Sequence, residues 1–157
     1  MARAFSRAEV LPSSSSVTTK LGIAGTANNY NANDIGKIVK VIGDSAYGLC
    51  AAGDPIEAYI VSMDAATAQG FSIGSIQEED SKFVTCDGLQ GTPGTGTIAV
   101  GDYLVTGTVV ARNTALTEPV RVCKATSQAV GFFNWRVVGF RTGSGAVGSV
   151  ALMAQVG

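Results

Sequence analysis

The strongest constraint on this chain is its punctuation: short β-prone runs recur along its length, and most are closed by glycine, aspartate or asparagine. Residues 37–42 end at Gly43-Asp44, residues 47–52 at Gly53-Asp54-Pro55, and residues 56–63 at Asp64. Further runs follow at 71–77, 82–86, 98–106, 109–112, 120–125, 130–141 and 147–156. Val, Ile, Thr and aromatic side chains suit a pleated, half-buried surface, whereas Gly, Asp and Asn tolerate the backbone angles of tight turns. Regular spacing of this kind is the pattern of a sandwich or barrel. The expected fold is all-β: a single β-sandwich, jelly-roll-like or small barrel domain over 21–157, with an extended N-terminal arm over 1–20.

Helices have little room. Residues 63–69 are good helix formers, but Gly70 closes the run and leaves at most a connector. Residues 21–34 hold Gly22, Gly25, Asn28, Asn29, Asn31 and Asn33, and read as an extended loop entering the domain. Residues 87–97 are rich enough in Gly and Pro to be expected as a mobile loop without a strand. No repeat of fixed period is visible, which argues against a solenoid or propeller.

Composition points to an assembly. Charged residues are 15% of the 157, against about 25% in an ordinary globular domain. A surface this poor in charge is expected to have partners covering part of it. The net charge is −1 and the basic residues are scattered, so the clustered Lys and Arg that displace counterions from phosphates are missing and nucleic acid is not an expected partner. No stretch approaches the ~20 apolar residues of a membrane span. Arg3 and Arg7 are followed by Glu9, Pro12 and a serine run, unlike a secretory leader. A soluble protein made in the cytosol is the expectation.

Candidate chemistry is thin. The chain has no histidine, which removes the commonest general base and the commonest zinc ligand. Cys50, Cys86 and Cys123 are widely spaced, form no CxxC pair and lie in apolar runs, so they read as small buried side chains. Glu78-Glu79-Asp80 cannot converge by itself, because adjacent strand residues point to opposite faces, and it reads as a solvated turn. Asp44, Asp54 and Asp102 each follow a glycine and read as turn aspartates. Residues 143–148 match GxGxxG, yet the chain runs on into a strand-like segment instead of a helix. They read as a hairpin connection, and no catalytic residue, metal or cofactor is assigned.

Two groups of residues are assigned to contacts. In the first segment only Phe5, Val10 and Leu11 are substantial apolar anchors. Ordering such a segment costs on the order of 1–2 kcal/mol per residue, so it is expected to order against a partner, with Arg3 and Arg7 meeting carboxylates. The second group is Phe132, Phe133 and Trp135. A strand bulky on both faces suits an intersubunit position, although core filling is the ordinary role of such residues.

A polar N-terminal arm, the run Val100-Gly101-Asp102-Tyr103-Leu104-Val105 entering a strand, the Val120-Arg121-Val122 strand, the Ala129-Val130-Gly131 step and a Gly- and Ala-rich terminal strand over 145–156 occur together. In this the chain resembles the head decoration, or cement, proteins of tailed bacteriophages, a similarity of style over most of the chain without a defining motif. The resemblance implies a structural, non-enzymatic virion protein on the outer capsid surface. Its partners would be the major capsid protein and copies of itself, a trimer being favoured over a dimer. Two other classes stay open. One is a receptor- or carbohydrate-binding β-module, with exposed aromatics on a concave face. The other is a carboxylate enzyme, with two acidic groups about 5–10 Å apart.

Overall fold

A computed structural model of the chain describes residues 16–22, 30–43, 46–66, 72–78, 81–127 and 135–155. Among these residues there is no α-helix; eleven strands are joined by turns and one 3-10 turn, Ala32–Asp34. The all-β expectation holds, and the barrel alternative is what the first part of the chain forms.

The first unit holds β1 (Ser16–Leu21), β2 (Ile38–Gly43), β3 (Ala46–Leu49), β4 (Ala58–Ala66) and β5 (Ser72–Gln77). They close into a barrel in the order β1-β3-β2-β4-β5, with β1 antiparallel to β5 along its whole length and parallel to β3 at one end. Alternation sets which side chains fill it. Leu21, Val39, Ala58, Ile60 and Ile76 are buried together with Tyr30, and each faces the barrel axis because strand neighbours point opposite ways.

The second unit holds β6 (Ser81–Leu89), β7 (Thr92–Pro93), β8 (Leu104–Thr106), β9 (Arg121–Lys124), β10 (Trp135–Thr142) and β11 (Val150–Gln155). The sheet order is β10-β11-β6-β9-β8, with β7 a short partner of β6. A bridge between Tyr103 and Arg136 brings the two ends of this sheet together.

The second unit repeats the pairing of the first. β6 is parallel to β9 as β1 is to β3; β8 and β9 pair antiparallel as β2 and β3 do. β10, β11 and β6 follow one another as β4, β5 and β1 do. Two register shifts interrupt β4 against β5, at Ile60/Ser62 and Met63/Ala66, and two interrupt β10 against β11, at Val137/Gly139 and Phe140/Thr142. The correspondence reaches single hydrogen bonds. The Gly36 amide donates to the Ile60 carbonyl at 2.7 Å and the Gly101 amide to the Val137 carbonyl at 2.8 Å. These glycines have φ of 91° and 92°, a region that L side chains rarely adopt. Cys50 donates to the Ile38 carbonyl, and Ala125 donates to the Tyr103 carbonyl.

The two units share a core. Ile38, Cys50, Ile56 and Tyr59 of the first are buried in one cluster with Val84, Leu104, Trp135, Val137 and Met153 of the second. Ile56, wholly buried, contributes roughly 1.5–3 kcal/mol by removal from water. Polar ties frame this junction. The Thr106 amide donates to the Asp54 carbonyl and the Gly53 amide to the Thr106 carbonyl. Lys37 Nζ reaches the Ala111 carbonyl at 2.7 Å, and Asp34 accepts the Asn113 amide at 2.8 Å.

Four expectations need correction. β1 begins at Ser16, inside the segment assigned to the arm: Val17, Thr18 and Thr19 are β-branched, and this stretch finds a complete partner in β5. Residues 64–66 continue β4 past the turn expected at Asp64, since β5 offers them a ladder. Residues 87–97 carry the end of β6 and β7, with Gly88 at φ 88° and its Cα against the Thr95 carbonyl. The glycines permit this hairpin; they do not loosen it. Residues 109–112 form no strand, because Ala111 and its neighbours are spent on side chains of the first unit.

Candidate interaction surface

The carboxylates come first, since any acid–base chemistry in a chain without histidine would rest on them. Most are occupied as clasps. Asp54 accepts the Ala51 amide at 2.7 Å and pairs with Lys40 at 2.6 Å; Asp102 accepts the Ala99 amide at 2.8 Å and pairs with Lys124 at 3.1 Å. Both are the turn aspartates that a preceding glycine suggests. Asp87 accepts the Thr108 amide and hydroxyl at 2.7 and 2.6 Å and meets Arg121 at 2.7 Å. Burial works against its ionisation, but the Thr108 bonds and Arg121 outweigh it and hold its pKa below the ordinary 3.8. Glu57 accepts the Val41 amide, and Glu78, following β5, accepts the Tyr47 hydroxyl. Burial and Glu78 together push that phenol up to about 12. Asp44, Glu79 and Asp80 lie outside the described residues.

The thiols are equally committed. Cys50, Cys86 and Cys123 are free and buried, as the sequence suggests. Burial pushes Cys50 up to about 12 and Cys123 to about 11, and also raises Cys86, so all three are protonated at neutral pH. Among the described residues no group of three or more Cys, Asp or Glu is arranged to hold a metal ion. Residues 143–148 join β10 to β11 and are pinned by bonds between Ile98 and Gly145 and between Gly148 and Cys86. A strand follows them, where a dinucleotide site needs a helix.

Of the residues assigned to contacts, Arg3, Phe5, Arg7, Val10, Leu11, Phe132 and Phe133 lie outside the described residues. Trp135 does not reach a surface. It is 0% exposed, packed edge-on against Tyr59 with ring centroids 6.2 Å apart, and its indole Nε1 has no hydrogen-bond partner among the described residues. Its inward turn follows from parity: Trp135 and Val137 share a side of β10, and Val137 faces the core.

What stands at the surface instead is apolar. On the outer side of the β10-β11-β6 sheet, Phe83 lies opposite Leu152, and Leu152 opposite Gly139. Phe83 is 42% exposed, and Val138, in the β10 bulge beside Gly139, is 46% exposed. The Arg141 guanidinium sits 5.1 Å from the centre of the Phe83 ring, a cation–π contact.

The chain matches no protein-family model, no curated protein and no solved structure. Its surface must therefore be read from its own residues. Some of its exposure is repeated: Ile35 and Val100 precede the equivalent glycines Gly36 and Gly101, and Val61 and Val138 occupy the first bulges of β4 and β10. All four are exposed large apolar residues. Nothing in the primary order marks Phe83, Val61 or Val138 as surface residues. Each falls in a β-prone run, and only register assigns it to the outer side.

Proposed function

We propose that this protein is a structural component of a virion, a capsid decoration or cement protein that binds the lattice of the major capsid protein and stabilises the head. The reading is carried by the apolar band of Val138, Leu152 and Phe83, presented by a sheet in a chain most of whose described carboxylates, and all three of whose thiols, are engaged in its own folding. An exposed apolar band of this kind favours burial against another protein. The residues preceding β1 add a second contact, with Phe5, Val10 and Leu11 as apolar anchors and Arg3 and Arg7 meeting capsid carboxylates. A protein that binds only the expanded lattice stabilises it by mass action and needs no chemistry. Phe132 and Phe133 are retained in this reading as oligomer contacts.

The test is co-sedimentation with expanded capsids, comparing the full chain, a chain lacking residues 1–15, and the Phe83→Ser variant. The deletion stops before Ser16 so that β1 and the barrel survive. Fully burying a phenylalanine is worth roughly 1.5–3 kcal/mol, and Phe83 has 42% of its surface left to bury, so Phe83→Ser should weaken binding about three- to ninefold. The truncated chain should stay folded and lose most of its binding. Unimpaired binding by both altered chains would overturn the proposal.

A further inference from the structure

The repeated pairing has a consequence for assembly, because the two units are joined in one direction only. Ile38 of β2, Tyr59 of β4 and Cys50, just after β3, turn away from the barrel axis and are buried against the second unit. There they meet the open end of its sheet. Lys82 Nζ lies 4.6 Å from the centre of the Tyr59 ring, Trp135 packs edge-on to it, and the Thr106 backbone bonds Gly53 and Asp54 beside Cys50. A donor face on one unit therefore seats on a receiver end of the other.

Each unit carries counterparts of both surfaces, although in the second unit Ala125 is itself buried with Val105 and Cys123, and the Arg136 guanidinium lies 5.0 Å from the centre of the Tyr103 ring. Ile38, Cys50 and Tyr59 correspond by their bonds to Tyr103, Ala125 and Arg136 in the second unit, since Ile38 pairs with Tyr59 as Tyr103 pairs with Arg136. On the receiving side, Lys82 pairs with Met153 as Val17 pairs with Ile76, and Thr106 pairs with Val122 as Val41 pairs with Tyr47. The receiver end of the first unit is thus marked by Val17 and Val41, which are 45% and 53% exposed. Two valines at a barrel mouth stand open where, in the second unit, the equivalent positions are built into the junction.

We infer that the chain assembles head to tail: the half-buried Tyr103 and Arg136 of one copy seat on the Val17 and Val41 end of the first unit of the next copy. This contact continues the junction already present within each chain. Because donor and receiver are different surfaces, the contact is heterologous and builds a ring if the rotation closes.

The experiment uses the full chain, by sedimentation or light scattering at micromolar concentration. The wild type should exceed the chain mass of 16.0 kDa severalfold. Val41→Asp, which spoils the receiver, and Arg136→Glu, which spoils the donor, should each run at the chain mass with an unchanged circular dichroism spectrum. Val17→Asp serves as a second receiver variant should Val41→Asp fold poorly. An equimolar mixture of a receiver and a donor variant should recover one intact junction and run at twice the chain mass, which a two-fold symmetric contact would not do. A monomeric wild type, variants that keep the wild-type mass, or a mixture that stays at the chain mass would each overturn the inference. The outcome separates from lattice binding: a monomer that still sediments with capsids sinks this assembly alone, and an oligomer that ignores capsids sinks only the decoration role.

Discussion

Replacing Asp34 by alanine tests how the two units are held together. Its carboxylate is 0% exposed and Lys37 beside it 3%, with 2.7 Å between Lys37 Nζ and Asp34 Oδ1. The other partners are the Asn31 amide at 3.0 Å, the Asn113 amide at 2.8 Å and, for the lysine, the Ala111 carbonyl. Asp34→Ala leaves the Lys37 ammonium in the interior with one carbonyl, a situation that costs about 3–5 kcal/mol. Two amides also lose their acceptor, at about 1–3 kcal/mol each before water enters. A net loss of at least about 4 kcal/mol follows. With a urea dependence of about 2 kcal/mol per molar, the midpoint should fall by about 2 M. The companion Asp34→Ala/Lys37→Met removes the stranded charge and should recover at least about 2 kcal/mol, because a buried pair is worth little more than apolar groups of the same volume. Urea unfolding followed by tryptophan fluorescence reads both, since Trp135 lies in the shared core. A single variant losing less than about 1 kcal/mol, or a double variant no better than the single, would refute the reasoning.

Two further outcomes are expected. Asp87 and Asp54 have pKa values held below the ordinary 3.8, so their contribution is complete above that pH and is lost as pH falls through their folded values. Acid titration of thermal stability should show a fall below about pH 4 that Asp87→Asn flattens, and a variant with an unchanged acid limb would contradict the clasp. The buried thiols should resist a thiol-reactive disulfide reagent in the native protein, with all three reacting after denaturation. Rapid native labelling of even one would show that its strand opens.

Much of the local structure is readable in the chain order because it is decided by neighbours. The turn roles of Asp54 and Asp102 depend on bonds to an amide three residues away, and the preceding glycine announces them. The burial of Cys50, Cys86 and Cys123 follows from the apolar runs that contain them. Residues 87–97 misled for a related reason: glycine permits both a loose loop and a tight hairpin, and the bonds from Gly94 to Asp87 and from Leu89 to Thr95 decide between them. Trp135 misled differently. Its bulk suits a core and an interface alike, and which side of β10 faces the second unit's interior depends on the register of β10 against β11.

From the residues alone came the β class, the positions of most turns, the inert thiols and a low share of charged residues, all set by side-chain size, branching and polarity over a few neighbouring residues. The tertiary structure decided the rest: that one pairing scheme is used twice, that the units join donor to receiver, and which apolar residues are left outside. The duplication shows no period in the sequence because residues 44–45 join β2 to β3 whereas residues 107–120 join β8 to β9. Closing a longer surface loop costs little free energy, so connection lengths drift while the ladders between distant strands keep their register.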